Sequence, residues 1–237
     1  LSNKIAYDRD LPWLKYCLAS VAKFGGKYDY AMVVADRTTG SKVLEYCSSI
    51  GFPHAVDDES ARIPKGYIAQ QYTKLRADLF VPNGIDYICN IDSDCLLIEK
   101  HDPSVLFEDG RPLLLYTPYA DIGDAVCWKA PVEAAVGHAV DNEYMRRFPL
   151  VYPRWAFEPA RRHLEELHGK TLLHYLKDVP VFSEFNYLGA WCADHAKDSF
   201  AWKLTGRDPV PHSPVKQFWS WGGIAAAESE IKTVLGM

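Results

Sequence analysis

Three short strand-like runs, with helix-period segments between them, constrain this chain more than any other feature. Tyr30-Ala31-Met32-Val33-Val34-Ala35 reads as a buried strand ending at Asp36. Val43, Leu44 and Cys47 mark a helix stopped by Gly51, and a short strand is expected at His54-Ala55-Val56. Another helix is predicted over roughly residues 68–80, with its apolar stripe at Ile68, Tyr72, Leu75 and Leu79. Pro82-Asn83-Gly84 then turns the chain into Tyr87-Ile88-Cys89-Asn90-Ile91. This alternation predicts an α/β fold with a mixed, mostly parallel central sheet flanked by helices. Upstream, Leu1-Ser2-Asn3 reads as the end of a first strand. Asp10, with Pro12 just after it, reads as the cap of a helix carrying Leu14, Cys17, Leu18, Val21 and Phe24.

After residue 100 the order is less regular. A strand is predicted at Leu113-Leu114-Leu115-Tyr116, and helices over 159–167, 170–177 and 225–234. Residues 182–193 are mixed, aromatic and polar, and the segment from Asp208 reads as an ordered loop. No linker composition interrupts the 237 residues, so a single domain is expected over 1–237. A net charge of −5 without a basic block argues against a nucleic-acid partner. No apolar run approaches the ~20 residues that span a bilayer. Six scattered cysteines without C-x-x-C spacing argue against a zinc ribbon and fit a reduced, cytoplasmic chain.

Asp92-Ser93-Asp94 follows the third run directly and precedes Cys95-Leu96-Leu97-Ile98. Two carboxylates in an apolar stretch are costly unless something compensates them. Mg²⁺ and Mn²⁺ do so, because they take carboxylate oxygens and also hold phosphate oxygens. The competing reading is an edge turn with two solvated aspartates. Ligands of open α/β sheets bind beyond the carboxyl ends of strands, which here means Ser2, Asn3, Asp36, the segment after Val56 and the Asp pair. Gln70, Gln71 and Lys74 fall together on a helix face that suits a pyrophosphate or sugar hydroxyls, or simply faces solvent.

Pro64 to Leu75 with its Gln70-Gln71-Tyr72-Thr73-Lys74-Leu75 core, followed by Tyr87 to Asp94, resembles the GT-A glycosyltransferases. The match is closest to a bacterial and viral branch with a later Ser-Glu-Phe/Tyr element, here Ser183-Glu184-Phe185, and covers about the first 120 residues well. The resemblance implies a Rossmann-like GT-A domain whose nucleotide-sugar half spans about 1–120. Its acceptor half and C-terminal lid would span about 121–237. The abrupt start at Leu1 leaves open that the chain is one module of a longer enzyme. The resemblance further implies a nucleotide-sugar donor, most often a UDP-sugar, a Mn²⁺ or Mg²⁺ cofactor, and a carbohydrate acceptor. Asp94 would bind the metal directly. Asp92 would reach donor ribose, sugar or metal, beside Ser93. Base and ribose would lie near Ser2, Asn3 and Asp36. Gln71 and Lys74 would face the donor sugar or diphosphate. His212 is the candidate third metal ligand and Lys216 a phosphate clamp.

Glu184, between aromatics, is the candidate general base; its competing reading is a buried glutamate holding loop N–H groups. Asp121 and Asp194 are weaker alternatives. His163, His168 and His174 read as surface residues. The aromatic and arginine-rich stretches 143–149 and 152–155 read as acceptor contacts, and 218–223 as a lid. Two other readings share the Asp pair. A haloacid-dehalogenase-type phosphatase would use Asp92 as nucleophile, but its motif normally follows the first strand. A non-catalytic nucleotide-sugar-binding domain would keep the fold without turnover. A nucleotidyltransferase would show a Gly-rich loop after its first strand, and Leu1–Asp10 lacks one.

Overall fold

The apolar pattern of the first ninety residues folds as helices and strands in the predicted order, but the strands find different neighbours. The computed structural model describes residues 3–123 and 125–237, with side chains described from Asp10 onward apart from Trp221. Leu1 and Ser2 lie outside the described residues. The described residues form eight α-helices: α1 (Asn3–Phe24), α2 (Ser41–Ser49), α3 (Gly66–Lys74), α4 (Lys129–Val136), α5 (Phe157–His168), α6 (Leu172–Asp178), α7 (Glu184–His195) and α8 (Glu228–Leu235). The strands are β1 (Val33–Ala35), β2 (His54–Val56), β3 (Tyr87–Asn90), β4 (Cys95–Leu97), β5 (Phe107–Glu108), β6 (Arg111–Pro118), β7 (Asn142–Glu143), β8 (Leu150–Pro153), β9 (Ala201–Leu204) and β10 (Val215–Gln217). The class is therefore mixed α/β. None of the described helices is long and apolar enough to cross a membrane.

The expected large, mostly parallel sheet is replaced by several small ones. Among the described residues two pairings are parallel, β1 with β2 and β6 with β9. Four are antiparallel: β10–β4, β3–β8, β5–β6 and β6–β7. The physical reason lies in the partners. Only β1 and β2 are joined by a short helical crossover of the kind that enforces parallel pairing. β3 and β4 instead take antiparallel partners, β8 and β10, from much later in the chain.

The chain divides into two compact units, Leu1–Val56 with Ile91–Val105 and Pro211–Met237, and Asp57–Asn90 with Leu106–Val210. They interleave along the sequence, so the division does not fall near residue 120. In the first unit α1 serves two apolar clusters. Trp13 packs with Leu96, Ile231 and Leu235, while Leu14 and Leu18 pack with Val43 and Cys47. Each such side chain, fully buried, stabilises the fold by about 1.5–3 kcal/mol. Because α1 begins at Asn3, Asp10 is not its cap and Pro12 lies inside it. Asn3 accordingly belongs to a helix and not to a strand end.

The second unit is built around α7, nine of whose residues are buried. Apolar neighbours on all sides leave no one-sided period, which is why residues 182–193 looked irregular in sequence. Gly189 is there for space: a Cβ on it would lie 2.4 Å from Tyr144 Cβ. α3 closes at Lys74, and the chain continues into a 3-10 turn, Ala77–Leu79, so the predicted helix is shorter than its stripe. Arg76, between the two, ion-pairs with Asp57 and Glu59 at 2.8 Å.

Candidate functional site

The Asp pair forms the turn that feeds β4. The Cys95 N–H donates to the Asp92 carbonyl at 2.9 Å, closing a turn over Ser93 and Asp94. Asp94 is only 7% exposed. Its Oδ2 accepts the Ser220 N–H at 2.8 Å and its Oδ1 faces the Gln217 amide nitrogen at 3.4 Å. Its carbonyl accepts the Phe218 N–H at 2.9 Å. The antiparallel register that sets Gln217 opposite Cys95 puts these donors there. Sequence reasoning missed β10, because three residues between Pro, Trp and Gly carry no readable period.

Two thiols lie against the same turn. Cys95 Sγ is 3.9 Å from Asp94 Oδ1, and Cys17 Sγ is 4.0 Å from the Asp92 carbonyl. Burial first, then the charges of Asp92 and Asp94, pushes the Cys17 thiol up to about 12. The same causes raise Cys95. Both therefore stay protonated at neutral pH, and the anionic donors of the turn are oxygens. Mg²⁺ and Mn²⁺ suit such a set, since Mg²⁺ commonly takes one or two carboxylates and completes its shell with substrate phosphates and water. No group of three or more His, Cys, Asp or Glu arranged to hold a metal occurs among the described residues. Two carboxylates that leave coordination positions for diphosphate oxygens fit the implied cation.

The other predicted residues of this unit are placed as follows. Asp36 follows β1 as expected, but its carboxylate closes its own loop, accepting the Thr38 and Thr39 N–H groups at 2.8 and 2.7 Å and the Thr39 hydroxyl. His212 lies beside Glu99 at 4.0 Å. Five residues of chain separate Glu99 from Asp94, roughly 16 Å at ~3.3 Å per extended residue. The β4–β10 register thus carries His212 away from the Asp pair and does not bring it in as a third ligand. Lys216 alternates to the face opposite Gln217, where it ion-pairs with Glu230. Trp219, in the predicted lid segment, is 56% exposed and adopts φ of +55°.

In the second unit the structure joins residues that the sequence singled out separately. Lys74 Nζ donates to Glu184 Oε1 at 2.8 Å. Glu184 is 3% exposed and opens α7, where the helix dipole favours an anion. The Lys74 ammonium also sits 5.1 Å from the Phe185 ring centre. Gln71, one turn before Lys74 on α3, is buried, and its Oε1 has no hydrogen-bond partner among the described residues. A buried acceptor left in this state favours a ligand that donates. The N–H-holding role considered for Glu184 falls instead to Asn186, whose Oδ1 accepts the Tyr144 N–H at 2.7 Å while its amide donates to Ser183 Oγ.

The stretches expected to contact an acceptor are mostly interior. Tyr144 and Tyr152 are core residues, and Glu143 is fully buried, pairing with Arg146 and accepting the Met145 N–H at 3.1 Å. Arg154 donates to the Pro82 and Asp78 carbonyls at 2.9 and 3.1 Å. Aromatic side chains chose burial over display, the commoner outcome for their area. Trp155 alone of these aromatics is well exposed. Asp194 pairs with His138 at 2.8 Å, and Asp121 is exposed. His163 and His168 are half-buried against His195 and Tyr175, and only His174 of the three lies on the surface. Compared with known protein families and with curated proteins, the chain matches none.

Proposed function

We propose that this chain is a metal-assisted glycosyltransferase that moves a sugar from a nucleotide-diphosphate donor, first of all a UDP-sugar, to a hydroxyl of a carbohydrate acceptor. The observation that carries the reading is the Asp92–Asp94 turn, a carboxylate pair of which one member is buried and held by backbone N–H at 2.8 Å. Such a turn makes sense as a cation mount and is expensive as ornament. A GT-A arrangement and a cytoplasmic setting belong to the same reading.

In this mechanism Asp92 and Asp94 would hold Mn²⁺ or Mg²⁺, and the ion would supply neutralisation of the charge growing on the departing diphosphate. Lys216, paired with Glu230 on the face opposite Gln217, takes no direct part in holding the diphosphate. In the second unit, Lys74 holds the Glu184 carboxylate in place. Ser93 keeps the turn narrow. Asp36, by closing its own loop, fixes the backbone after β1 and takes no direct part in chemistry.

The test is release of UDP from a panel of UDP-sugars with Mn²⁺, with and without oligosaccharide acceptors. Asp94→Asn is expected to lose binding and transfer together. Acceptor-stimulated turnover that survives Asp94→Asn would overturn the proposal.

A further inference from the structure

The turn after β10 touches Asp94 at three places. Phe218 N–H reaches its carbonyl, Ser220 N–H its Oδ2, and the Gln217 amide its Oδ1. Between these donors Trp219 takes a left-handed conformation, uncommon for a bulky side chain. The Gln217 amide and the Cys95 thiol on Oδ1 and the Ser220 N–H on Oδ2 fix the plane of the group, and Oδ2 keeps a second lone pair. A carboxylate so oriented is ready for a cation without a search over rotamers. Resting on the metal reading above, we infer that Gln217 and the Ser220 N–H position Asp94 for cation binding. They are positioning residues, contributed by a segment more than 120 residues away in sequence.

A purely structural role is the competing account. The same segment leads into α8, whose Ile231 and Leu235 complete the cluster around Trp13 and Leu96. The two accounts differ in what the donors do when packing is kept. Groups that orient a metal ligand typically change metal affinity 10–100-fold when removed. Donors that merely close a turn change unfolding and leave the affinity of the folded protein alone.

The experiment uses the full chain and Mn²⁺ alone as probe, with unbound Mn²⁺ measured by its paramagnetic resonance signal. Gln217→Met keeps the side-chain length and removes the donor. Ser220→Pro removes the backbone N–H at the first residue of a 3-10 turn. Melting in chelator is measured in parallel. Each variant is expected to bind Mn²⁺ about 10–100-fold more weakly than the parent, with a metal-free melting midpoint close to it. Parent-like Mn²⁺ affinity in both variants overturns the inference, as does a loss that only tracks unfolding. If Ser220→Pro does not fold, Gln217→Met decides. A parent protein that fails to bind Mn²⁺ overturns the metal reading itself and this inference with it.

Discussion

Lys74 and Glu184 show how a single contact changes the meaning of two residues. Read separately, one was a phosphate-facing lysine and the other a base. At 2.8 Å, with the Glu184 side chain 4% exposed, they are one buried pair. Removing one member leaves a buried charge alone, at a cost of about 3–5 kcal/mol. Lys74→Met is therefore expected to lower urea stability by that order, and Lys74→Met with Glu184→Gln to recover most of it. A double variant no better than the single would mean that the two are not coupled. The thiols against the Asp turn give a pH prediction. Cys17 titrates near 9.0 in its ordinary state and near 12 in the fold. Its folded value is raised, so the stability it supports is complete below pH 9 and is lost as pH rises towards 12. Urea midpoints should fall between pH 8 and pH 10.5, and by less in Cys17→Ala measured against its own value at pH 8. A flat profile would place the thiol outside the fold's interior.

Elements were legible where their pattern was one-sided. α2, α5 and α6 lie close to where their apolar periods or caps put them, and the strand before the Asp pair was visible from its run of apolar residues. α7 was not legible, because burial on all sides erases the helical period. β10 was not legible, because its identity comes from pairing with β4 and not from its own three residues. The antiparallel partners of β3 and β4 were likewise set by tertiary contacts made far along the chain, which no local pattern records. Within the candidate site, the Asp turn and Lys74 stand out in sequence by residue type, whereas Gln217, Ser220 and Asn186 carry no local mark. The tight place for Gly189 can be tested directly. Gly189→Ala drives a Cβ to within 2.4 Å of Tyr144 Cβ, an atom with no freedom to swing aside. Overpacking of this kind costs about 1–3 kcal/mol. Urea unfolding should show that loss, and a neutral substitution would mean that α7 and the Tyr144 segment pack more loosely than described.

At the scale of the whole molecule, the two units have their own cores, and the proposed cation mount belongs to the first. Ligands that bind only the folded state stabilise it by about 2.7 kcal/mol at a hundredfold excess over Kd. Hydrogen exchange with Mn²⁺ and UDP should therefore slow in residues 92–97 and 215–220, where the turn and its donors lie. Unchanged exchange there would separate UDP binding from the Asp turn. The central claim is tested most directly by calorimetric titration of UDP into the protein with Mn²⁺, repeated with chelator and with Asp94→Ala. The account predicts saturable binding with Mn²⁺ that disappears in both controls. Binding that persists without metal or without the Asp94 carboxylate, or no binding of UDP, GDP or dTDP under any of these conditions, would contradict it.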